Sequence, residues 1–249
     1  MSKKEEKIHI AAVSDIHCHE NSGGMYQDLF TQISNEADLL LLCGDLTDYG
    51  QPKEAEVLTK ELLHCKIPVV AILGNHDYES DKNEELVEIL TKSDVTFLQG
   101  SEYIFEKGSR KIGITGVKGF GGGFKPAMWE RFGEKEQKAY YDALTYEIQH
   151  LEIGLNRLQP HHDLPIIVML HFSPIRQTLH GELEELYPFL GSTRLEEVID
   201  RYNVRCVFHG HSHFGTGSGT TEKGIPVYNV SYPLLKELNP EKPYALVEL

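Results

Sequence analysis

The sequence predicts an α/β protein in which helices cover a β-sheet of mixed strand direction. In the first third of the chain, short and nearly continuous apolar runs alternate with segments whose apolar residues recur at helical spacing. Near-continuous apolar strands are typical of a sheet that helices bury. In the middle of the chain a hairpin pattern interrupts the alternation, so the strands cannot all be parallel.

The individual elements follow from these patterns. The first third is predicted to contain strands at 8–14, 37–43 and 67–73 and helices at 25–36, 52–65 and 82–92. Pro52 fits the first turn of its helix, because the N–H that proline lacks would have no partner there. The remainder is predicted to contain a hairpin of 103–106 with 111–115, helices at 134–158 and 194–202, and strands at 166–170, 204–209, 225–230 and 244–248. No repeat or linker interrupts residues 1–249, which predicts a single domain.

Composition limits the classes of partner. At 249 residues with 40% hydrophobic content, the chain can bury a substantial core. The 38 acidic residues outnumber the 24 Lys and Arg, giving a net charge of -14. Such a surface repels polyanions, so we expect neither a nucleic-acid polymer nor a membrane as a partner. A small phosphoester stays possible, because bound metal ions would make one cleft locally positive.

The cysteines and the N-terminal segment indicate the cellular compartment. The four cysteines have no C-x-x-C spacing, and most lie in or beside apolar runs: Cys18, Cys43, Cys65 and Cys206. Reduced thiols therefore fit better than a disulfide framework. No apolar run has the length and flanks of a signal peptide or a membrane span. We expect a cytoplasmic protein, and the sequence leaves its oligomeric state open.

Five short blocks of Asp, Asn and His carry the chemistry of this chain. In order, they are Asp15-Ile16-His17, Gly44-Asp45-Leu46-Thr47-Asp48, Gly74-Asn75-His76-Asp77, His171, and Gly210-His211-Ser212-His213. Each lies against a predicted strand, and strand ends can bring ligands from distant parts of a chain to one point. Taken singly, the blocks could be turns, helix caps or a core histidine. Together, their oxygen and nitrogen ligands suit a site for two metal ions and favour a two-metal hydrolase.

These blocks, which span residues 15–213, resemble the calcineurin-like metallophosphoesterase family in its compact bacterial form, similar to class III cyclic-nucleotide phosphodiesterases. The resemblance implies a four-layer α/β/β/α sandwich, in which two mixed β-sheets pack face to face with helices outside. It also implies two divalent or trivalent metal ions, for which manganese, iron, zinc and cobalt all remain candidates. One ion would be held by Asp15, His17, Asp45 and His213, and the other by Asp45, Asn75, His171 and His211.

The same resemblance implies roles for two further residues and a reaction. His76 would protonate the leaving oxygen, and Asp48 would hold His76 in position by a hydrogen bond. The implied reaction is in-line attack of a metal-bridging hydroxide on a small phosphodiester. A phosphomonoesterase shares the pattern and remains open. A protein-binding scaffold on the same fold is a third interpretation, but its members have lost ligands that this chain retains.

Smaller differences separate branches of the family. Tyr49 and Asp77 occupy positions where protein Ser/Thr phosphatases carry Arg and Glu, which disfavours that branch. His19, His180 and Phe124 are candidate substrate contacts, because each follows or neighbours a block or the glycine-rich loop. The segment from Gly119 to Trp129 is either a substrate-facing lid or an ordinary loop.

Overall fold

The computed structural model describes residues 7–160 and 164–249 of the chain. The first elements are β1 (His9–Val13), α1 (Gln27–Glu36), β2 (Leu39–Cys43), α2 (Pro52–Leu62), β3 (Val69–Ile72), α3 (Asn83–Thr91), β4 (Val95–Phe97), β5 (Glu102–Lys107), β6 (Arg110–Val117), β7 (Gly123–Phe124) and β8 (Ala127–Met128). They continue with α4 (Lys135–Leu158), β9 (Ile166–Leu170), α5 (Tyr187–Leu190), α6 (Thr193–Ile199), β10 (Val204–His209), β11 (Ser218–Thr220), β12 (Pro226–Asn229), α7 (Tyr232–Leu238) and β13 (Ala245–Glu248).

Two large sheets of mixed strand direction organise these elements. The first sheet has the order β13-β1-β2-β3-β4, in which β1 to β4 are parallel and β13 is antiparallel to β1. The second has the order β11-β12-β10-β9-β6-β5, with a parallel centre and an antiparallel strand at each edge. The closing strand β13 therefore returns the end of the described chain to the edge of the first sheet.

Alternation of side chains along the strands separates three apolar cores. Leu40 and Leu42 of β2 pack against α1, α2 and α3, whereas Leu39 and Leu41 face the second sheet. On β9, Ile167 faces the first sheet, and its neighbours on either side pack against α4 and α6. Helices, sheet, sheet and helices therefore form four layers, which confirms the predicted α/β/β/α sandwich.

Local sequence accounts for the main helices. Pro52 begins α2 at the position expected for proline, and Gln51 and Glu54 form a reciprocal capping box at that end. The longest predicted helix appears as α4, whose buried stripe includes Leu144, Leu151 and Leu155. Every predicted strand and helix is present, with ends displaced by a few residues.

The structure also contains elements that the sequence patterns did not indicate. These are the short strands β4 and β11, the β7–β8 hairpin inside the predicted Gly119–Trp129 loop, and helices α5 and α7. They are too short to show a period, and Ser-Gly-Thr at β11 has no apolar residue. Within the described residues, no helix is long and apolar enough to cross a membrane. The single-domain organisation stays a prediction.

Candidate metal centre

The five sequence blocks meet at the carboxyl ends of parallel strands from both sheets. Asp15, Asp45 and Asn75 follow β1, β2 and β3, and His171 and His211 follow β9 and β10. Parallel strands direct their carboxyl ends to the same edge, so residues distant in sequence converge there. The face-to-face packing of the sheets then brings the two sets together, because His171 of one sheet contacts Asn75 and Asp45 of the other.

The backbone at this edge adopts an uncommon conformation. Four of the candidate ligands have positive φ: Asp15 at 57°, His17 at 45°, Asp45 at 48° and His211 at 69°. Non-glycine residues rarely occupy this region, and such strain is retained where the surrounding structure determines it. Here the amides of Asp15 and His17 donate to the carbonyls of Gly44 and Asp45, each at 3.0 Å. These hydrogen bonds join the first block to the second.

Glycine is required at two positions because of close approaches to the carboxylates. A Cβ atom at Gly74 would collide with the Asp45 side chain, and one at Gly210 would collide with Ser14 and Asp15. The glycines of the third and fifth blocks therefore allow backbone to lie directly against the candidate ligands.

The first group of side chains consists of Asp15, His17 and His213, whose ligand atoms lie within 4.8 Å of one another. His213 Nε2 is 3.0 Å from Asp15 Oδ1. His17 Nε2 lies 4.0 Å from Asp15 Oδ1 and 3.8 Å from Asp45 Oδ2. The amide of His211 donates to both oxygens of Asp15, at 3.1 and 3.0 Å, and so fixes the orientation of this carboxylate.

The second group contains Asp45, His171 and His211, also within 4.8 Å. His171 Nδ1 donates to the carbonyl of Cys43 at 3.0 Å, so its Nε2 faces Asn75 Oδ1 at 2.9 Å and Asp45 Oδ2 at 3.3 Å. Such a second hydrogen bond orients the histidine ring in metal sites. Asp45 Oδ2 therefore lies between the two groups, close to both His17 and His171.

His17 supplies the test of whether these residues fit a metal ion. Both of its ring nitrogens are shielded from solvent, and neither has a hydrogen-bond partner. An unpaired buried polar atom costs about 1–3 kcal/mol, so such atoms are rare without a compensating role. The fully buried His209 nearby is different, because its ring nitrogens bond Thr178 Oγ1 at 2.9 Å and the Gly210 carbonyl at 2.8 Å. An ion beside His17 Nε2 would give that nitrogen a partner, so the residues fit a metal.

The charges of the site are strongly coupled. Burial raises the pKa of the Asp15 and Asp45 carboxyls, but neighbouring histidines outweigh it and hold both values below the usual range. For His171, burial lowers the pKa, but the Asp45 carboxylate outweighs it and raises the value to about 9. For His211, burial and then the charge on His171 lower the pKa to about 3. Two buried carboxylates thus hold a proton on His171, where a metal cation would replace it.

The structure alters the predicted role of Asp48. His76 Nδ1 lies 2.7 Å from the backbone carbonyl of Asp48, so it donates to this carbonyl and leaves Nε2 free. The Asp48 carboxylate is 4.0 Å from the same nitrogen, which is too far for a hydrogen bond. The carboxylate lies closer to His17 Nδ1, at 3.3 Å. Asp48 therefore orients His76 through its main chain and places its negative charge beside His17.

Asp77 is a residue of the site whose structural role the sequence pattern does not indicate. Its carboxylate is fully buried and accepts hydrogen bonds from the amides of Gly74, Leu46 and Thr47 and from the Thr47 hydroxyl, at 2.7–3.2 Å. It therefore ties the third block to the second. Burial and then the charge of Asp45 raise the pKa of Asp77 to about 6.

The three candidate substrate contacts occupy different environments. His19 is partly exposed and lines a cleft of about 760 Å³ together with Asp48. His180 is exposed, and its carbonyl accepts from Thr216 Oγ1 at 3.0 Å. Phe124 is only 7% exposed and packs in a small apolar cluster with Leu179 and Tyr187. This burial favours a packing role for Phe124, and its contact with a substrate stays a prediction.

Comparison with known proteins identifies the family. The sequence profile of the calcineurin-like phosphoesterases matches residues 8–215, which include all five blocks. The chain belongs to the calcineurin-like phosphoesterase family. Its metallophosphoesterase members use divalent metal ions, and the Asp and His groups described above could hold such ions.

The individual relatives share only low sequence identity with this chain. A probable cyclic nucleotide phosphodiesterase from Synechococcus is 28% identical over 194 residues, which are 76% of this chain and 64% of that protein. An uncharacterised Bacillus subtilis protein, YpbG, is 31% identical over 117 residues, 46% of this chain and 43% of that protein. The chain thus matches less than two thirds of the length of both relatives.

The crystal structure of a phosphopantetheinyl hydrolase from Mycobacterium tuberculosis has the same fold, with a TM-score of 0.71, 17% identity and coverage of 96% and 95% of the two chains.

The buried contacts of Asp77 predict a stability effect. Asp77→Asn places an NH₂ group against donors that now face a carboxylate, so at least one buried donor loses its acceptor. We expect the free energy of unfolding in urea to fall by about 1–3 kcal/mol. Glu56→Gln, a change at an exposed carboxylate of α2, is the matched control and should shift it by less than about 0.5 kcal/mol. Equal stability of the two variants would contradict the bridging role of Asp77.

The raised pKa of His171 predicts the pH dependence of metal binding. Because the pKa is about 9, His171 is protonated at neutral pH, and an ion at Nε2 has to displace this proton. The apparent Mn²⁺ affinity should therefore rise with pH, by up to about tenfold per unit below the pKa, and level off above it. Calorimetric titration of chelator-treated protein in buffers of different ionisation enthalpy measures the proton release directly. Binding without proton release at neutral pH would contradict this assignment.

Proposed function

We propose that this protein hydrolyses a small phosphodiester with the help of two metal ions. Asp15, His17, Asp45 and His213 would hold one ion, and Asp45, Asn75, His171 and His211 would hold the other. The observation that carries the proposal is the shielded Nε2 of His17, which has no hydrogen bond and lies 4.0 Å from Asp15 Oδ1 and 3.8 Å from Asp45 Oδ2. The oxygen and nitrogen donors suit manganese, iron or zinc.

The protein groups around the two candidate sites have different roles. When bound, divalent ions polarise phosphoryl oxygens and lower the pKa of a water molecule. Asp45 supplies a carboxylate to both groups of ligands and so sets their separation. The positions of Asp15 and His171 are fixed in advance by the His211 amide and the Cys43 carbonyl, so little reorganisation is required. These contacts preserve the geometry that in-line attack needs.

His76 is placed to act on the leaving group. Its Nδ1 donates to the Asp48 carbonyl, so Nε2 is the nitrogen that can hold or give a proton. The side chain is 41% exposed, and its ring lies 4.5 Å from that of His17. It can therefore reach a substrate that lies at the mouth of the site. In this position His76 protonates the leaving oxygen of the phosphoester.

The choice of a diester is supported by the relative from Synechococcus, which is named a probable cyclic nucleotide phosphodiesterase. A net charge of -14 argues against nucleic-acid polymers and leaves small phosphoesters as the substrate class. Because the complete set of ligand types is present, we disfavour a non-catalytic scaffold. The same composition, with cysteines that are all unpaired, supports a cytoplasmic location.

The activity can be tested with two small esters on one preparation. The Mn²⁺-dependent hydrolysis rates of bis-p-nitrophenyl phosphate and p-nitrophenyl phosphate are compared after chelation and reloading. We expect hydrolysis only with metal and a preference for the diester. Preference for the monoester would assign a phosphomonoesterase, and no turnover of either ester with metal would support the scaffold.

Two substitutions separate metal binding from proton transfer. His76→Ala should retain the metal content and lower the rate by about 10²–10⁴-fold, because it removes a proton donor outside the two ligand sets. Asp45→Asn should lose both activity and metal, because it removes the charge that both groups share. His64→Ala, at an exposed histidine on the surface, is the control and should leave both unchanged. Loss of metal in His76→Ala would reassign His76 as a ligand.

A further inference from the structure

A buried pair of opposite charges lies next to the second group of candidate ligands. It consists of Glu147 on α4 and Lys118, whose side-chain nitrogen lies 3.8 Å from the Glu147 carboxylate. The two residues are only 5% and 8% exposed. Along the described length of α4, the other buried positions are leucine, isoleucine and glycine. Buried charges are rare and a buried ion pair adds little net stability, so stability alone does not account for this pair.

Lys118 occupies the same edge of the second sheet as the candidate ligands. It directly follows β6, just as His171 directly follows β9. The strands β6 and β9 are adjacent and parallel, with Val117 paired to Leu170, so Lys118 and His171 lie side by side. The Lys118 carbonyl accepts hydrogen bonds from the amides of His171 and Phe172, at 2.9 and 3.0 Å. This carbonyl therefore fixes the main chain that carries His171.

One peptide group connects this carbonyl to Glu147. The carbonyl of Lys118 and the amide of Gly119 belong to the same planar unit, so they cannot reorient independently. The Gly119 amide donates to Glu147 Oε2 at 3.1 Å. The Gly119 carbonyl accepts from Lys118 Nζ at 2.9 Å. Because Glu147 holds the N–H of the peptide group whose C=O holds His171, it helps to set the position of that ligand.

A second route leads from Lys118 to His211 through an aromatic ring. The Lys118 ammonium lies 5.2 Å from the centroid of the Phe172 ring, within the range of cation–π interactions. The Phe172 ring in turn packs against that of His211, with centroids 4.3 Å apart. Both routes therefore end at histidines of the ligand set that contains Asn75.

We propose that Glu147 is a positioning residue that holds His171 ready for the second metal ion, and that Lys118 neutralises its buried charge. This inference rests on the two ligand sets of the proposed function. Within the described residues, neither side chain forms a hydrogen bond or ion pair with the histidines of the other set, His17 and His213. Loss of a group that orients a metal ligand typically weakens metal binding by about 10–100-fold, so Glu147 should affect one ion and not the other.

The test compares two double variants that differ in one hydrogen bond. Lys118→Met with Glu147→Gln removes both charges but keeps an oxygen that accepts from the Gly119 amide, whereas Lys118→Met with Glu147→Leu removes this acceptor as well. Replacing a buried ion pair by uncharged residues of similar volume is often neutral for stability. Equilibrium dialysis against Mn²⁺ after chelation measures the affinities. The Gln variant should stay within about threefold of the unaltered protein, and the Leu variant should bind one of its two ions at least about tenfold more weakly.

Two further backgrounds identify the ion concerned. His213→Ala leaves the second ligand set intact, and His171→Ala leaves the first. Adding Lys118→Met with Glu147→Leu should weaken Mn²⁺ binding at least about tenfold in the His213→Ala background and less than about twofold in the His171→Ala background. Equal weakening in both backgrounds would show a general structural role and overturn the proposal.

Glu147→Asp provides a second test that does not depend on the folding of the Leu variant. The shorter side chain keeps the charge but withdraws the carboxylate from the Gly119 amide, so it should cause the same selective loss of Mn²⁺ affinity. Unchanged affinity would overturn the positioning role. Two Mn²⁺ ions bound equally by the Gln and Leu variants would overturn this role alone. A selective loss of affinity in a protein that hydrolyses no ester would instead overturn the proposed function.

Discussion

The burial of two carboxylates, Asp15 and Asp45, determines how the rest of the site is built. Each is 1% exposed, and the ion pairs that they form among the described residues are with histidines. Removing two negative charges from water is costly unless positive charge accompanies them. Histidine meets this requirement in two ways, since it can hold a proton or, when neutral, bind a cation. Protonation and metal binding are therefore alternatives at the same atoms.

The backbone that carries these ligands is conformationally strained. Asp15, His17, Asp45 and His211 all have positive φ and lie in the loops that follow β1, β2 and β10, three largely buried strands. Strained loops persist when rigid elements determine them, and here the apolar cores on both sides of each sheet supply that rigidity. Asp77 adds a second support, because one buried carboxylate binds amides from two loops. The packing that stabilises the sandwich therefore also holds the site residues in position.

The structure can be predicted from the sequence best where a hydrophobic period or a motif is long enough to detect. The apolar run at 39–43 and the stripe along α4 have such periods, so the layers could be anticipated. The five blocks are recognisable as Asp, Asn and His at strand ends, and the resemblance divides them into two ligand sets. The contacts of Asp48 and Asp77 could not be found in this way, because both depend on hydrogen bonds between loops distant in sequence. Burial of Phe124 likewise depends on α5 and Leu179, which no local pattern indicates.

The chain is acidic and a phosphoester is an anion, so substrate binding has to overcome their electrostatic repulsion. With a net charge of -14, the protein as a whole repels phosphate, so attraction has to come from ions held at the carboxyl ends of the strands. Ions alone attract every phosphate equally and provide little selectivity. Selectivity among phosphoesters therefore has to come from protein groups outside the two ligand sets.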